Sequence, residues 1–413
     1  MSANVSVATW DQVELGDVVT LHRGYDLPSS QRRVGTVPIV SSSGITGYHD
    51  EAKISPPGVV TGRYGTLGEV FFVEEPFWPL NTTLYVSDFH GNDERFVSYF
   101  LQCQAIRAQD SAAAVPGVNR NVLHRLPARR PPLSIQRKIA AILSAYDRLI
   151  ENNNRRIKLL EEMAQRIYRE WFVDYRYPGH EDVSLVDSEL GPIPEGWSIR
   201  TIGDIASPER YAVTSGPFGS KLGAKDYRDR GVPVIRGTNL AVGGGFKDAD
   251  FVFVSDAKAD TMRSCLAHRG DIVVTQRGTL GQVGLIPSSA RFDRYVISQS
   301  QMKITVDPQR GNGQYLYAAL RSPEVTVRLQ GQAMTAGVPH INLSILRNFQ
   351  VVWPNRAIQD GVAGFLGLLG EQVETLARSV ENARAARSLL LPRLISGEID
   401  VTDLDIVIRE AAV

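Results

Sequence analysis

The chain has 413 residues, 43% of them hydrophobic, and its 45 lysines and arginines are matched by 45 acidic residues. That length has room for two or three domains with separate cores, and no apolar run approaches the roughly 18 residues of a membrane-spanning helix. Zero net charge argues against indiscriminate polyanion binding, so any contact with nucleic acid must come from local clusters. Two cysteines, Cys103 and Cys265, are too few for a disulfide framework and fit free thiols in a reducing compartment. The opening M-S-A-N-V-S-V-A-T-W has no basic stretch followed by an apolar one, so no signal peptide is expected and the expected location is the cytoplasm.

In chain order, the first part is rich in Val, Gly and Pro, with short strand-like runs at Val59-Val60, Glu69 to Val73 and Thr83 to Val86 and a helix at Arg95 to Ala108. Ser134 to Val173 then runs forty residues without Gly or Pro. Its apolar residues fall at Ile135, Ile139, Ile142, Tyr146 and Leu149 and resume at Ile157, Leu160, Ala164, Ile167 and Trp171, the spacing of a helix with one narrow stripe. Such a helix is about 60 Å long, longer than a domain of ordinary size, so it should run between domains and needs a partner. Asn152-Asn153-Asn154 interrupts the stripe and shifts its heptad phase; a polar residue there either fixes register or forms a solvated bulge. Tyr175 to Gly196, with Pro178, Pro192 and Pro194 between charges, is a linker.

Beyond the linker the plan repeats. W-x-x-x-x-L-G-D-V from Trp10 returns as W-x-x-x-x-I-G-D-I from Trp197, and Val37 to Val40 as Val232 to Ile235. Val60 to Val70 returns as Val273 to Val283, Val118-Asn119 as Ile341-Asn342, and Pro131, Ile135 and Gln136 as Pro354, Ile358 and Gln359. The offset grows from 187 at the tryptophans to 223 at the glutamines, so the second copy has gained loop insertions. It has strand-like runs at Ile272 to Thr275 and Gln301 to Val306 and a helix at Gln314 to Leu320. It ends in a long helix from about Ala357 to Leu391, striped by Ile358, Val362, Phe365, Leu369, Val373, Leu376, Val380 and Ala383. Gly361, Gly364, Gly367 and Gly370 cost that helix on the order of 1 kcal/mol each, so it should lean on its partner. Two stripes in one chain most economically pair with each other, and a pseudo-two-fold repeat makes the pair antiparallel.

No catalytic constellation is evident. The seven histidines are scattered without H-x-x-x-H, and C-x-x-C and G-x-S-x-G are absent, so no catalytic or metal-ligating residue is nominated. No N-P-P-Y or D-P-P-Y string of an amino-methyltransferase occurs, and Gly216 to Lys221 lacks the spacing of a phosphate loop. The loops do carry residues suited to nucleic acid. The first copy offers Ser42, Ser43 and Tyr48, then Arg63 and Tyr64, then Arg120 and Asn121 in a basic cluster with His124, Arg125, Arg129 and Arg130. The second offers Lys221, Arg236 and Asn239, then Gln276, Arg277 and Thr279, then His340 and Asn342. Arg can bridge guanine O6 and N7, Asn or Gln can bridge adenine N6 and N7, and Lys positions phosphates. When the loop glycines are superposed, Arg277 falls opposite Tyr64 and not Arg63, as two readers of different half-sites would require.

These blocks resemble the specificity subunit of type I restriction–modification systems over nearly the whole chain. The resemblance rests on G-P-F-G-S-K-L at Gly216 to Leu222, Y-R-D-R-G-V-P-V-I-R-G-T-N-L at Tyr227 to Leu240, R-G-Y-D-L-P at Arg23 to Pro28, S-S-G-I-T-G-Y-H-D at Ser42 to Asp50 and G-R-Y-G-T-L-G at Gly62 to Gly68. P-P-L-S-I-Q-R-K-I at Pro131 to Ile139 looks like the family's entry into its first long helix, and L-L-P-R-L-I-S-G-E-I at Leu390 to Ile399 like its closing segment; the second entry keeps Ile358-Gln359 but lacks the Pro-Leu. The resemblance implies an α+β chain: a target-recognition domain at 1–133, a spacer helix at 134–175, a linker at 176–196, a second recognition domain at 197–355, a second spacer helix at 356–400 and a tail at 401–413. The helices would form an antiparallel coiled-coil ruler, and each domain would read half of a bipartite duplex site. The subunit would be non-catalytic, docking two methyltransferase subunits that use S-adenosylmethionine, with ATP- and Mg-dependent translocase–nuclease subunits in the full complex. A methylation-only or orphan system would use the same chain; a coiled-coil protein-interaction scaffold is the rival from another class.

Overall fold

The computed structural model describes residues 10–63, 69–104, 119–240, 245–334 and 338–406. The first copy runs β1 (Asp11–Glu14), α1 (Leu15–Val18), β2 (Thr20–Arg23), β3 (Val37–Ser41), β4 (Gly44–His49), β5 (Gly58–Gly62), β6 (Val70–Val73), β7 (Trp78–Pro79), β8 (Thr83–Asp88), α2 (Glu94–Cys103), α3 (Arg120–His124) and β9 (Pro127–Arg130). It passes into α4 (Leu133–Phe172), and β10 (Leu185–Val186) and β11 (Ile193–Pro194) pair within the linker. The second copy runs β12 (Ser198–Thr201), α5 (Ile202–Ile205), β13 (Val213–Ser215), β14 (Val232–Ile235), β15 (Val252–Val254), α6 (Asp256–Asp260), β16 (Leu266–Ala267), β17 (Ile272–Thr275), β18 (Val283–Leu285), β19 (Tyr295–Ile297) and β20 (Gln301–Ile304). It closes with α7 (Gly313–Arg321), α8 (Pro323–Gly331), α9 (Leu343–Asn348), β21 (Gln350–Trp353) and α10 (Arg356–Ser396).

The repeat read from the sequence is a repeat of topology. The sheet β2-β8-β5-β6 has its counterpart in β13-β20-β17-β18, and β4-β3-β7 in β15-β14-β19, where β16 adds an edge. β3 is antiparallel to β4 and parallel to β7, as β14 is to β15 and β19. β1 pairs with β9 and β12 with β21, so each copy closes on itself just before its long helix. The helix that the sequence reading extended to Ala108 is observed to Cys103; residues 105–118 lie outside those described. It missed α8, which starts on Pro323 behind Ser322, whose hydroxyl accepts the Val325 N–H.

Two compact units result, residues 1–155 with 376–413 and residues 156–375. In the first unit, Ile135, Ile139 and Leu143 of α4 and Leu394 and Ile395 of α10 enter one core with Leu15, Leu21, Leu84, Phe96 and Phe100. In the second, Tyr168 and Phe172 of α4 and Val362 and Leu366 of α10 pack with Trp197, Tyr315 and Trp353. Each copy is therefore built around segments of both long helices.

The stripe of α4 differs from the expected one in its middle. Ile139, Leu143, Tyr146, Ile150, Asn153, Ile157, Leu160, Ala164, Ile167 and Trp171 are all buried or half-buried, and their spacing alternates four and three without a break. No phase shift occurs. Leu149 is exposed, Ile150 takes its place, and Asn153 occupies an ordinary heptad core position. In α10 the seam runs Val362, Leu366, Leu369, Val373, Leu376, Val380, Ala383, Arg387, Leu390 and Leu394; Phe365, expected in it, is exposed. The helix is unbroken through its four glycines. A seam period of 3.5 residues sets a left-handed supercoil.

Asn153 is 5% exposed, and its Nδ2 donates to Ser379 Oγ at 3.1 Å. Arg387 Nε stands 2.6 Å from Asp147 Oδ1, Arg387 Nη2 donates to Gln102 Oε1 at 3.0 Å, and Tyr99 OH donates to Asp147 Oδ2 at 2.5 Å. Burial and then the Asp147 carboxylate push the Tyr99 phenol far above its ordinary range. Asp147 meets Arg387 and Asn153 meets Ser379, so the numbers run in opposite senses and the pair is antiparallel.

Two buried glutamines fasten the copies to their helices. Gln136, 2% exposed, accepts the Asp93 N–H at 2.9 Å and donates Nε2 to Asn92 Oδ1 at 2.7 Å and Pro131 O at 2.9 Å. Gln359, 1% exposed, accepts the Asn312 N–H at 2.9 Å and donates to Pro354 O at 2.8 Å. Asp93 and Asn312 are the N-caps of α2 and α7, so each glutamine holds the start of the matching short helix against the start of the long one. Replacing either by Ala orphans a buried amide and a buried carbonyl, so Gln136→Ala and Gln359→Ala should each lower unfolding free energy by about 1–3 kcal/mol in urea titration. A change below a few tenths of that for both would contradict the fastening role.

Candidate nucleic-acid interface

In the second copy three loops converge on one groove of about 620 Å³. The first follows β13, where the Gly216 N–H donates to Gln301 O at 2.9 Å and leads to Lys221. The second follows β17: the Gln276 N–H donates to Ser300 O at 2.8 Å and Arg277 bridges backbone to backbone with His340. The third precedes α9, where the Ile341 N–H donates to Gln276 O at 2.9 Å and Asn342 Oδ1 accepts the Ile345 N–H at 2.8 Å as the N-cap. Backbone hydrogen bonds thus bring Lys221, Gln276, Arg277, His340 and Asn342 to one wall set.

Among the described residues the lining contains no Asp or Glu. Lys221 and Arg277 are exposed, and neither pairs with an acid among the described residues. Cys265 lies at the same groove with its thiol pushed up by burial. A cleft carrying cations, amides and hydroxyls without carboxylates is suited to a polyanion with hydrogen-bonding edges.

Other nominated residues of this copy do different work. Asn239 is fully buried; its Oδ1 accepts the Arg236 N–H at 3.0 Å and its Nδ2 donates to Ala249 O at 2.8 Å. Its amide braces a loop and is not offered to a ligand, because a buried amide must satisfy its own hydrogen bonds first. Arg236 is half-buried beside it, with Nη2 donating to Asp250 O at 3.4 Å. Gln276 borders the groove but is buried, and its Nε2 donates to Gln299 O at 2.5 Å. Thr279 is exposed on the β17–β18 turn, outside the groove lining. The sequence reading passed over Phe218 and Tyr211, both exposed and both in the lining. Phe218 lies inside the G-P-F-G-S-K-L block, and its flanking glycines were the available signal.

In the first copy, Ser42, Ser43 and Tyr48 sit on the β3–β4 hairpin, where Ser43 Oγ bonds Ser41 Oγ at 3.0 Å and Tyr48 is exposed. Arg63 follows β5, and its N–H donates to Thr82 O at 2.9 Å, as Gln276 N–H does to Ser300 O. With Thr83 paired to Gly62 and Gln301 to Thr275, this register makes Arg63 the counterpart of Gln276, and hence Tyr64 that of Arg277. Tyr64 itself lies outside the described residues. Arg120 and Asn121 are exposed on α3, which Asn119 caps as Asn342 caps α9. Two members of the basic cluster are structural: Arg129 donates to Ser396 O at 3.1 Å over the Trp10 ring, and Arg130 pairs with Asp11 at 3.0 Å.

His124 joins α3 to β2 by accepting the Leu21 N–H at Nε2, 2.9 Å away, which requires a neutral ring. Burial first, then the charges of Arg120 and His90, hold its pKa below the ordinary 6.5. A depressed histidine contributes stability that is present above the unfolded pKa and is lost as pH falls through the folded one. Melting temperature should therefore decline as pH drops below about 6.5, and His124→Gln, which keeps an acceptor without a titrating proton, should flatten that decline. An unchanged slope in the variant would refute the assignment.

Residues 8–162 match the family described as type I restriction modification DNA specificity domain. The chain is 23% identical over 298 residues to the type I restriction enzyme MjaIX specificity subunit of Methanocaldococcus jannaschii, a match covering 70% of this chain and 64% of that protein. It is 21% identical to the MjaVIII specificity subunit of the same organism, covering 76% and 72%. It is 23% identical to the HindI specificity subunit of Haemophilus influenzae, covering 71% and 73%. The match thus spans just under two thirds of the length of the MjaIX subunit. The crystal structure of the type I restriction–modification S subunit from M. genitalium superposes with a TM-score of 0.67 at 15% identity, covering 96% of this chain and 98% of that one, a likeness of fold. With its repeated topology and its pair of long helices, the chain is similar to type I restriction–modification specificity subunits, and its residues 8–162 match their DNA specificity domain.

Proposed function

We propose that this chain reads a bipartite duplex DNA site for a type I restriction–modification enzyme and carries no catalysis of its own. The observation that supports this best is the carboxylate-free groove of the second copy, where Lys221 and Arg277 stand exposed beside His340 and Asn342. Arg277 and its neighbours would contact base edges and Lys221 the backbone. The first copy would read the other half-site through the β3–β4 hairpin, the turn after Arg63, and α3. The long helices would set the gap, one recognition domain facing each stretch of major groove.

The partners would be two methyltransferase subunits, with restriction subunits in the full complex. Each half of the helix pair has apolar side chains left for such docking: Leu159, Met163 and Leu368 in the second unit, Leu149 and Leu389 in the first. S-adenosylmethionine, ATP and Mg would be held by those partners.

Arg277→Ala should weaken binding at the second half-site by about 1–3 kcal/mol and relax its sequence preference, with the first half-site unaffected. Competition binding on duplexes altered in one half at a time measures this; equal loss at both halves would refute separate readers. Inserting one helical turn into both α4 and α10 should change the gap between half-sites and leave the half-sites alone. Single-molecule methylation mapping reads the gap, and an unchanged gap would remove the ruler.

A further inference from the structure

One tight turn is common to both copies. Between β7 and β8 the Thr83 N–H donates to Leu80 O at 2.9 Å, and between β19 and β20 the Gln301 N–H donates to Ser298 O at 3.0 Å. The Leu80 N–H is fixed to Val40 O at 2.9 Å and the Ser298 N–H to Ile235 O at 2.9 Å. The Gly24 N–H donates to Thr83 O at 3.1 Å, as the Gly216 N–H does to Gln301 O. A Cβ on Gly24 would come within 2.1 Å of the Leu80 carbonyl oxygen, and one on Gly216 within 1.9 Å of that of Ser298. The second residue of each turn carries a carboxamide, Asn81 in one copy and Gln299 in the other. Gln299 is exposed in the groove lining of the second copy, so Asn81 stands at the matching place in the first. Neither lies in the blocks that carry the family resemblance.

In the first copy the amide itself is held. Asn81 is half-buried, its Nδ2 donates to the Asp26 carboxylate, and that carboxylate stands 3.8 Å from Arg23 Nη2. A carboxylate only accepts, so it fixes which end of the amide faces it. One N–H and the Oδ1 remain, and no other hydrogen bond of the Asn81 side chain occurs among the described residues. A phosphate set there would meet the Asp26 charge, which disfavours the DNA backbone and leaves a base edge. In the major groove adenine offers an acceptor at N7 beside a donor at N6, the complement of an amide, whereas guanine offers acceptors at both N7 and O6. We propose that Asn81 is a specificity-determining residue that reads an adenine of the first half-site through N7 and N6, with Asp26 as its positioning residue. This reading rests on the DNA recognition proposed above.

The test uses the full chain co-purified with its methyltransferase subunits, after methylation mapping has given the two half-sites. The first half-site is the one that Arg277→Ala leaves unaltered. Each adenine is replaced in turn by 7-deazaadenine, which removes the N7 acceptor and keeps the base pair, and binding is measured by competition. The wild-type complex should bind about fivefold more weakly when one particular adenine of the first half-site is replaced. Asn81→Ala and the nearly isosteric Asn81→Asp should bind adenine and 7-deazaadenine equally there, with the second half-site read as before, which shows that the chain is folded. Asp26→Ala should reduce the difference at the same adenine, and an undiminished difference would remove the positioning role. The proposal is overturned if no adenine of the first half-site responds, or if both Asn81 variants still tell adenine from 7-deazaadenine as wild type does. It also falls if the half-site is read at a cytosine and that preference is lost in Asp26→Ala but not in Asn81→Ala, which would make the carboxylate the reader. Equal binding of wild type to cognate and scrambled duplexes would instead bring down DNA recognition itself, whatever the 7-deazaadenine series shows.

Discussion

A helix of 40 residues with one apolar stripe has too little to bury on its own, and most of the architecture follows from that deficit. The stripe of α4 is closed by α10, and the segments of both helices are taken into the core of the copy they adjoin. Neither copy is an independent globule set beside a rod. The rod is part of each core, so a change in a copy's packing is felt by the helices and the reverse.

The two copies meet this requirement with different chemistry at one shared joint. Gln136 and Gln359 bind the N-cap residue of the adjoining short helix in the same way. Around that joint the first unit adds polar contacts, with Arg387, Asp147, Tyr99 and Gln102 linking α10, α4 and α2. The second unit uses rings: Phe172 packs on Tyr315 at 4.9 Å and on Trp197 at 5.7 Å, and Trp171 meets Phe365 edge-on at 6.2 Å. Charged partners demand a specific geometry and leave a costly orphan if one is lost, whereas aromatic faces tolerate small adjustments. Asn153, polar in an otherwise apolar seam and bonded to Ser379, discriminates among registers that leucines would accept equally.

Much of this was legible in the sequence because it depends on period and order. The matching blocks from Trp10 and Trp197 onward fixed the repeat, and the absence of Gly and Pro from 134–173 fixed the long helix. The seam was misread where the apolar residue and the seam position differ: Leu149 and Phe365 are apolar but exposed, and Asn153 is polar but buried. Hydrophobicity marks a seam only when tertiary packing agrees with it. The candidate site was legible as a set of loops and not residue by residue. Asn239 and Lys221 both suit DNA on composition, yet one has its amide saturated inside a loop and the other is exposed in the groove. Phe218 was passed over because an isolated phenylalanine looks like core material until its exposure is known.

The shared hydrogen bond after β5 and β17 has a consequence for how such a chain can change. Arg63 and Gln276 are held by the same backbone contact to the neighbouring strand, whatever their side chains. The residue that follows in the second copy, Arg277, is exposed, and the fold draws on its main chain alone for the bridge to His340. Substitution there leaves the sheet register and the core untouched, so its cost in stability is within the small range of surface changes. The fold thereby separates the positions that hold it together from the positions that face a ligand. A lineage can rewrite the second set repeatedly, arriving at new sequence preferences on an unaltered frame.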